Sequence, residues 1–384
     1  MLKLSSKLIF SGILCDTCSP CITIRKPNWR SYNVFNNYLR TSATSSVNAS
    51  QGHHQIIITD QTKSDGEFIH PYKSIFPWKS KPEFVQHLVQ QIVHADDGLV
   101  VINKPFGVGV INSKAKHKGQ IKQVEYSHLR GIDLTDYNLE IALPHLRIAL
   151  SKPDLVLVKS TERMTSGLAV FADNLRHADT FRRKLRNSKM LSNTKPLYNY
   201  LVITAGTPFS NQTTFHERVG VQLKSALLSN VMQPCIERQF SRNSVKRKDV
   251  KPVNVTINVA KYGDHKTALL EIGTSSVKWN FLRIYCSDLL IPILGDHLYS
   301  CRVQSIMGVP TKMDISHAPP GSSDQKLSPH ILEALKVRES IQVLPHMHLQ
   351  SYLLQNYGKK GHHLELKAPI PPHFKWTQSQ LNLL

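Results

Sequence analysis

Apolar positions in this chain come in short runs, and their spacing changes from one run to the next. Phe84, Val85, Leu88, Val89 and Ile92 recur at helical spacing behind Pro82, which suits a first turn, and they predict a helix over 83–93. A turn at 94–98 separates it from 99–102, a continuous apolar run of strand length that ends in a sharp corner at 103–107. Strands are also predicted over 155–159, 168–171 and 200–203, and over 253–260, where Val253, Val255, Ile257 and Val259 alternate with period two. Residues 268–272, 281–286 and 364–366 read as strands too, and 304–329 as a polar loop with prolines and glycines. Residues 174–190 read as a helix with Ala178, Phe181 and Leu185 on one stripe and basic residues around the rest. Residues 111–150 are polar and show no dominant period. Strands outnumber helices without βα alternation, which predicts an α+β fold: a mixed, mostly antiparallel sheet with flanking helices.

Composition changes the picture in two ways. Hydrophobic residues make up 41% of the 384, enough to build a core, so a wholly disordered chain is excluded. Lys and Arg number 48 against 27 Asp and Glu, and the net charge of +21 favours a polyanionic partner. No apolar run is long enough to predict a transmembrane helix. Six cysteines are too few for a disulfide-built module.

The N-terminus has a different character. Residues 1–50 carry Lys3, Lys7, Arg25, Lys26, Arg30 and Arg40 against one acid, Asp16, among many serines and threonines, as a mitochondrial presequence does. Lys7 and Ser11 break the short apolar patch that a secretory signal would need. Cys15, Cys18 and Cys21 have iron–sulfur spacing but no fourth ligand, and Cys235, Cys286 and Cys301 have no metal spacing. The organisation read from the sequence is a presequence and leader over 1–50, a linker or arm over 51–82, one domain over 83–376 and a tail over 377–384, with the mature chain in the mitochondrial matrix.

Five segments, in order, carry a resemblance. They are 99–108 (LVVINKPFGV), 162–171 (ERMTSGLAVF), 200–206 (YLVITAG), 281–299 with its FLR and PILGDHLY, and 347–351 with 364–371 (MHLQS and LELKAPIP). Together they resemble the RluA-type pseudouridine synthases, with their "NKP.G" turn, the end of "HRLDRDTSGLLVFA", the "Y.ALV.G" strand, "QIRVHL…GHPI.GD..YG" and "LHLHA…F.APLP". The resemblance spans roughly 90–376 and implies a pseudouridine synthase fold and isomerisation of uridine to pseudouridine in RNA, with no cofactor and no metal.

Carried over residue by residue, the resemblance puts Glu162 where the family has its essential aspartate, keeps Arg163 after it, and puts Tyr200 against the base. It makes Arg283 the arginine that pairs with the carboxylate. Departures cluster in the same places. Lys159, Ser160 and Thr161 stand for "HRL", and Val277, Lys278, Trp279, Asn280 and Phe281 stand for "GR.HQ". A glutamate keeps the charge but moves it by about 1.5 Å. Two readings therefore stand: a working synthase, or a catalytically silent RNA-binding protein that supports RNA stability or ribosome assembly. RNA contact is expected from Arg182, Arg183, Lys184 and Arg186 on the helix 174–190, from Lys246, Arg247 and Lys248 in the basic stretch 237–252, and from Lys278. RNA rather than DNA is the expected partner, and the chain is expected to be a monomer.

Overall fold

The structure, a computed structural model, describes residues 69–110, 137–191, 196–208, 213–226, 229–357 and 362–384. The leader 1–50 with its cysteines, most of the arm 51–82, and much of 111–150 lie outside the described residues.

Helix α1 (Lys81–Gln90) starts where the sequence signals it. Ser80 accepts from the Glu83 amide at 3.4 Å, and the Glu83 carboxylate reaches back to the Lys79 amide at 2.9 Å. Strands β1 (Ile92–Asp96) and β2 (Leu99–Lys104) form a hairpin, and every residue of β2 is buried. Helix α2 (Leu139–Ala149) occupies ground that showed no period in the sequence. Asn138 caps it, and Leu139, Ala142 and Leu146 face inward although Pro144 interrupts the pattern. Strands β3 (Val156–Lys159) and β4 (Ser166–Ala172) and helix α3 (Leu175–Met190), capped by Asn174, follow the sequence expectations closely.

Next come β5 (Tyr198–Ala205), the long hairpin β6 (Thr214–Ala226) and β7 (Ser229–Glu237), the short helix α4 (Arg242–Lys246), β8 (Val250–Tyr262) and β9 (Thr267–Thr274). The expected strand at 281–286 is instead helix α5 (Phe281–Asp288). Its seven residues from Phe281 to Ser287 are all buried, so it shows no polar face and imitates a buried strand in sequence. The expected loop 304–329 opens with another hairpin, β10 (Val303–Ile306) and β11 (Val309–Lys312), whose exposed residues lack an alternating pattern. After helix α6 (Pro329–Ala334), β12 (Met347–Leu354) and β13 (Leu364–Lys367), the chain ends in helix α7 (Pro372–Gln380).

The strands form one eleven-stranded sheet in the order β1-β2-β4-β12-β5-β9-β8-β6-β7, with β3 on β4 and β13 on β12. Its pairs are antiparallel except β12 with β4. This is the mixed, mostly antiparallel α+β arrangement that the sequence predicts. Tyr198, Tyr200 and Val202 pack into a core on one side, with Phe181 of α3 and Phe281 and Tyr285 of α5. Leu201 and Ile203 belong to a second core, shared with Tyr72 and Ile75 upstream and with Phe374, Leu381 and Leu383 at the C-terminus.

Candidate active site

The middle of the sheet places the site. Strand register runs from Lys104 to Gly167, from Gly167 to Leu349, and from Leu349 to Tyr200. This row crosses the only parallel junction among the described strands. Gly167 has φ +116°, and a Cβ there would collide with the Leu349 carbonyl oxygen. Only glycine allows the two strands to meet so closely.

Glu162 stands on the turn that enters β4. The Thr165 amide donates to the Glu162 carbonyl at 3.2 Å, and the Thr161 hydroxyl spans the turn to the Thr165 carbonyl at 2.9 Å. The Gly107 amide donates to the Arg163 carbonyl at 2.8 Å, tying the turn to the corner after β2. Glu162 is exposed to solvent by surface area, while many protein atoms lie around its carboxyl. That enclosure pushes its pKa above the ordinary range. Arg283, Lys159 and Lys104 pull it back down, in that order, and the nearby Asp296 adds a small push upward.

Lys104 is fully buried, which is rare for a lysine. Its ammonium donates to the Val108 carbonyl at 2.9 Å and the Pro105 carbonyl at 3.1 Å. Burial, then Arg163, pushes its pKa down to about 7, against the pull of Glu162. The corner read as purely structural therefore also puts a cation near the carboxylate. Arg163 lies across Gly109, where a Cβ would sit 3.1 Å from its Nε.

Arg283 and Asp296 form a buried ion pair, with side-chain exposures of 4% and 0%. Asp296 also accepts from the Leu298 amide at 2.9 Å and the Tyr299 amide at 3.2 Å. The resemblance implied Glu162 as the arginine's carboxylate partner. In the structure Arg283 pairs with Asp296, and Glu162 lies within electrostatic range of both. Tyr200 is buried within the first core, and its hydroxyl is held protonated well above the usual range by burial and by Tyr352, Tyr198 and Glu162 nearby. Glu162, Tyr200 and Arg283 are thus brought together from three separate stretches of sequence.

The expected RNA-contacting residues divide. Arg182 pairs with Asp179 at 3.0 Å, Lys184 donates to the Asn356 carbonyl at 2.8 Å, and Arg183 and Arg186 are exposed on the same helix. Lys246, Arg247 and Lys248 are exposed at the end of α4, where Arg247 pairs with Asp249 at 2.8 Å. Lys278 lies within electrostatic range of Lys159, and through it adjoins Glu162. Sequence reasoning passed over Lys104 and Asp296. A lysine at the end of a buried strand, and an aspartate following a glycine in a matched motif, were the available signals. Among the described residues no group of three or more His, Cys, Asp or Glu is placed to hold a metal.

A carboxylate with three cations in electrostatic range and a buried tyrosine nearby suits nucleophilic attack on, or proton exchange with, a polar substrate. The architecture around it is that of the pseudouridine synthases: human RNA pseudouridylate synthase domain containing 4 superposes with a TM-score of 0.53 at 20% identity, over 78% of this chain and 96% of that one. In sequence the chain is similar to the mitochondrial mRNA pseudouridine synthase RPUSD3 of Homo sapiens, 24% identical over 82% of each chain. It is also similar to Rpusd3 of Mus musculus, 26% identical over 78% of this chain and 80% of that one. No family model matches the chain. The chain is a homologue of the pseudouridine synthases with their fold, and its motifs resemble the RluA type.

Proposed function

We propose that this protein converts uridine to pseudouridine in mitochondrial RNA, with Glu162 as the working carboxylate. The observation that carries this reading is the convergence of Arg283 and Tyr200 within electrostatic range of Glu162, at the junction of β4, β12 and β5. The target uridine leaves its stack and enters the site. Glu162 assists cleavage of the bond between N1 and the sugar, the base turns over, C5 bonds to the same sugar carbon as its hydrogen leaves as a proton, and N1 takes up a proton. A covalent adduct with the carboxylate and a glycal route give the same product. Arg283, held by Asp296, together with Lys159 and Lys104, lowers the Glu162 pKa and so favours its carboxylate form.

Messenger RNA is the substrate class that the relatives' names suggest, and the mitochondrial matrix the compartment in which a monomer would act. Residues 1–50 serve as the import leader and 51–82 as an arm before the synthase domain. The exposed arginines of α3 and the basic end of α4 supply sequence-independent phosphate contact. Among the described residues no helix is long and apolar enough to cross a membrane.

One observation favours a second reading. The carboxylate sits on a side chain one methylene longer than the family's aspartate, and a misplacement of about 1 Å can cost about 10²-fold in rate. A protein that holds RNA without modifying it fits the same surface. Pseudouridine mapping of mitochondrial RNA separates the two, in cells lacking the protein and rescued with wild type or with Glu162→Gln. Wild type restores a lost site and the variant does not if the proposal holds. No changed site, with RNA abundance or ribosome assembly restored equally by both, supports the silent binder.

A further inference from the structure

Four lysines from four separate elements converge beside Glu162. Lys159 ends β3, Lys189 lies in the last turn of α3, Lys251 begins β8, and Lys278 stands on the loop before α5. Lys278 is within electrostatic range of the other three, and Lys159 and Lys189 sense one another as well. The Lys251 ammonium lies 3.6 Å from the centre of the Trp279 ring, a close cation–π contact. Trp279 and Asn280 both take left-handed backbone, with φ +60° and +57°. For a tryptophan this is a true outlier, of the kind that clusters at ligand clamps. Glu162 is the carboxylate within range of this group, through Lys159.

Gathering like charges in one place works against folding, and a fold keeps such a cluster where an anion repeatedly occupies it. Lys278 and Lys189 are exposed, Lys159 and Lys251 are half-buried, and Trp279 keeps part of its ring accessible. The group lies next to the carboxylate rather than on a remote face. A nucleotide whose base has entered the site leaves its phosphates at the site's edge, and its neighbour's base loses a stacking partner there.

We propose that Lys159, Lys189, Lys251 and Lys278 clamp the RNA backbone flanking the uridine at Glu162, and that Trp279 stacks on an adjacent unpaired base. This deepens the reading given under Proposed function and rests on it for the identity of the nucleic acid. It places the specific contact at this group rather than on the arginines of α3 and the basic end of α4, which attract RNA in general. Stacking is tolerant of base identity, so the clamp selects an unstacked strand rather than a sequence.

The test is binding of a fluorescent single-stranded, uridine-containing RNA to the full chain, titrated from low to high salt. Carrying Glu162→Gln in every protein separates binding from turnover. For single strands the slope of log affinity against log salt changes by about 0.7 for each phosphate that is no longer neutralised. The pair Lys251→Gln/Lys278→Gln is expected to reduce the slope by about 1.4 and to weaken binding about 25-fold at 0.1 M salt. The pair Lys81→Gln/Lys375→Gln, exposed lysines of α1 and α7 outside the RNA contacts proposed above, serves as the remote control and is expected to change affinity less than about threefold. Trp279→Ala is expected to weaken binding about 5- to 150-fold with the slope unchanged. Thermal midpoints of all variants show whether each is folded, and Lys159→Gln/Lys189→Gln provides a second clamp pair if one is not. Equal effects of clamp and remote pairs, or a slope unmoved by either clamp pair, overturn the proposal. Because binding is read without catalysis, a protein that makes no pseudouridine still passes or fails this test on its own terms.

Discussion

Asp296→Asn tests the electrostatic frame of the site. The variant keeps an amide oxygen able to accept from the Leu298 and Tyr299 amides, which now lie 2.9 and 3.2 Å from the carboxylate. It removes the negative charge beside Arg283, whose side chain is only 4% exposed and lies 5.5 Å from the centre of the Tyr299 ring. Breaking a buried ion pair from one side costs about 3–5 kcal/mol, because the remaining charge stays desolvated. Taking about 2–4 °C per kcal/mol for domains somewhat smaller than this one, the midpoint should fall by about 6–20 °C. Equilibrium urea unfolding followed by tryptophan fluorescence gives the free energy, and scanning calorimetry gives the midpoint. The double variant Arg283→Met/Asp296→Leu removes both charges. It should cost less than the sum of the singles, with a coupling energy near the top of the range of about 0.5–3 kcal/mol. A loss under about 1 kcal/mol for Asp296→Asn, or strict additivity in the cycle, would refute the claim that this pair organises the site.

Three further outcomes are expected. His346, His348 and His373 are buried together, with pKa values lowered by burial to about 4, 4 and 3, so their stabilisation is complete above the unfolded value of 6.5 and is lost as pH falls below it. Each costs about 2 kcal/mol by pH 5, and urea midpoints that stay flat between pH 7 and 5 would contradict this. Gly167→Ala should fail to fold, or lose on the order of 3 kcal/mol or more, because its φ is +116° and the Leu349 carbonyl fills the space; native-like circular dichroism melts would contradict it. The acid limb of the pH–rate profile should lie above the ordinary carboxylate range, since burial raises Glu162. Lys104→Met should move that limb up and Asp296→Asn should move it down, because Lys104 lowers the Glu162 pKa and Asp296 raises it; shifts of the opposite sign would show that the limb belongs to another group.

Much of the sheet was legible because burial wrote it into short apolar runs. Strands 99–102, 168–171 and 200–203 are the buried β2, β4 and β5, and the period-two run 253–260 is β8. Helix α3 showed its stripe because its other face is solvated. Helix α5 was misread for the opposite reason: buried all round, Phe281–Asp288 offers aromatic and apolar residues without a polar face. Hairpin β10–β11 is so exposed that its pattern carries no burial signal. In the site, motif order placed Glu162, Tyr200 and Arg283 on adjoining strands and turns. Arg283's pairing with Asp296 depends on how α5 folds back over the turn at 295–299, which no local pattern encodes. The lysine group is also invisible in sequence, since its members are 30, 62 and 27 positions apart and only the sheet order unites them.

The central claim is that a glutamate performs the family's carboxylate chemistry here. Release of tritium from RNA labelled at C5 of uridine tests it most directly, because that hydrogen leaves only when carbon replaces nitrogen at the sugar. Mitochondrial transcripts are the substrate, with purified wild type, Glu162→Asp and Glu162→Gln compared in single turnover. Wild type is expected to release label, Glu162→Asp to do so about 10²-fold more slowly because the shorter side chain withdraws the carboxylate by about 1.5 Å, and Glu162→Gln not at all. Release by Glu162→Gln at the wild-type rate, or no release by a wild-type protein that binds the same RNA tightly, would contradict the account.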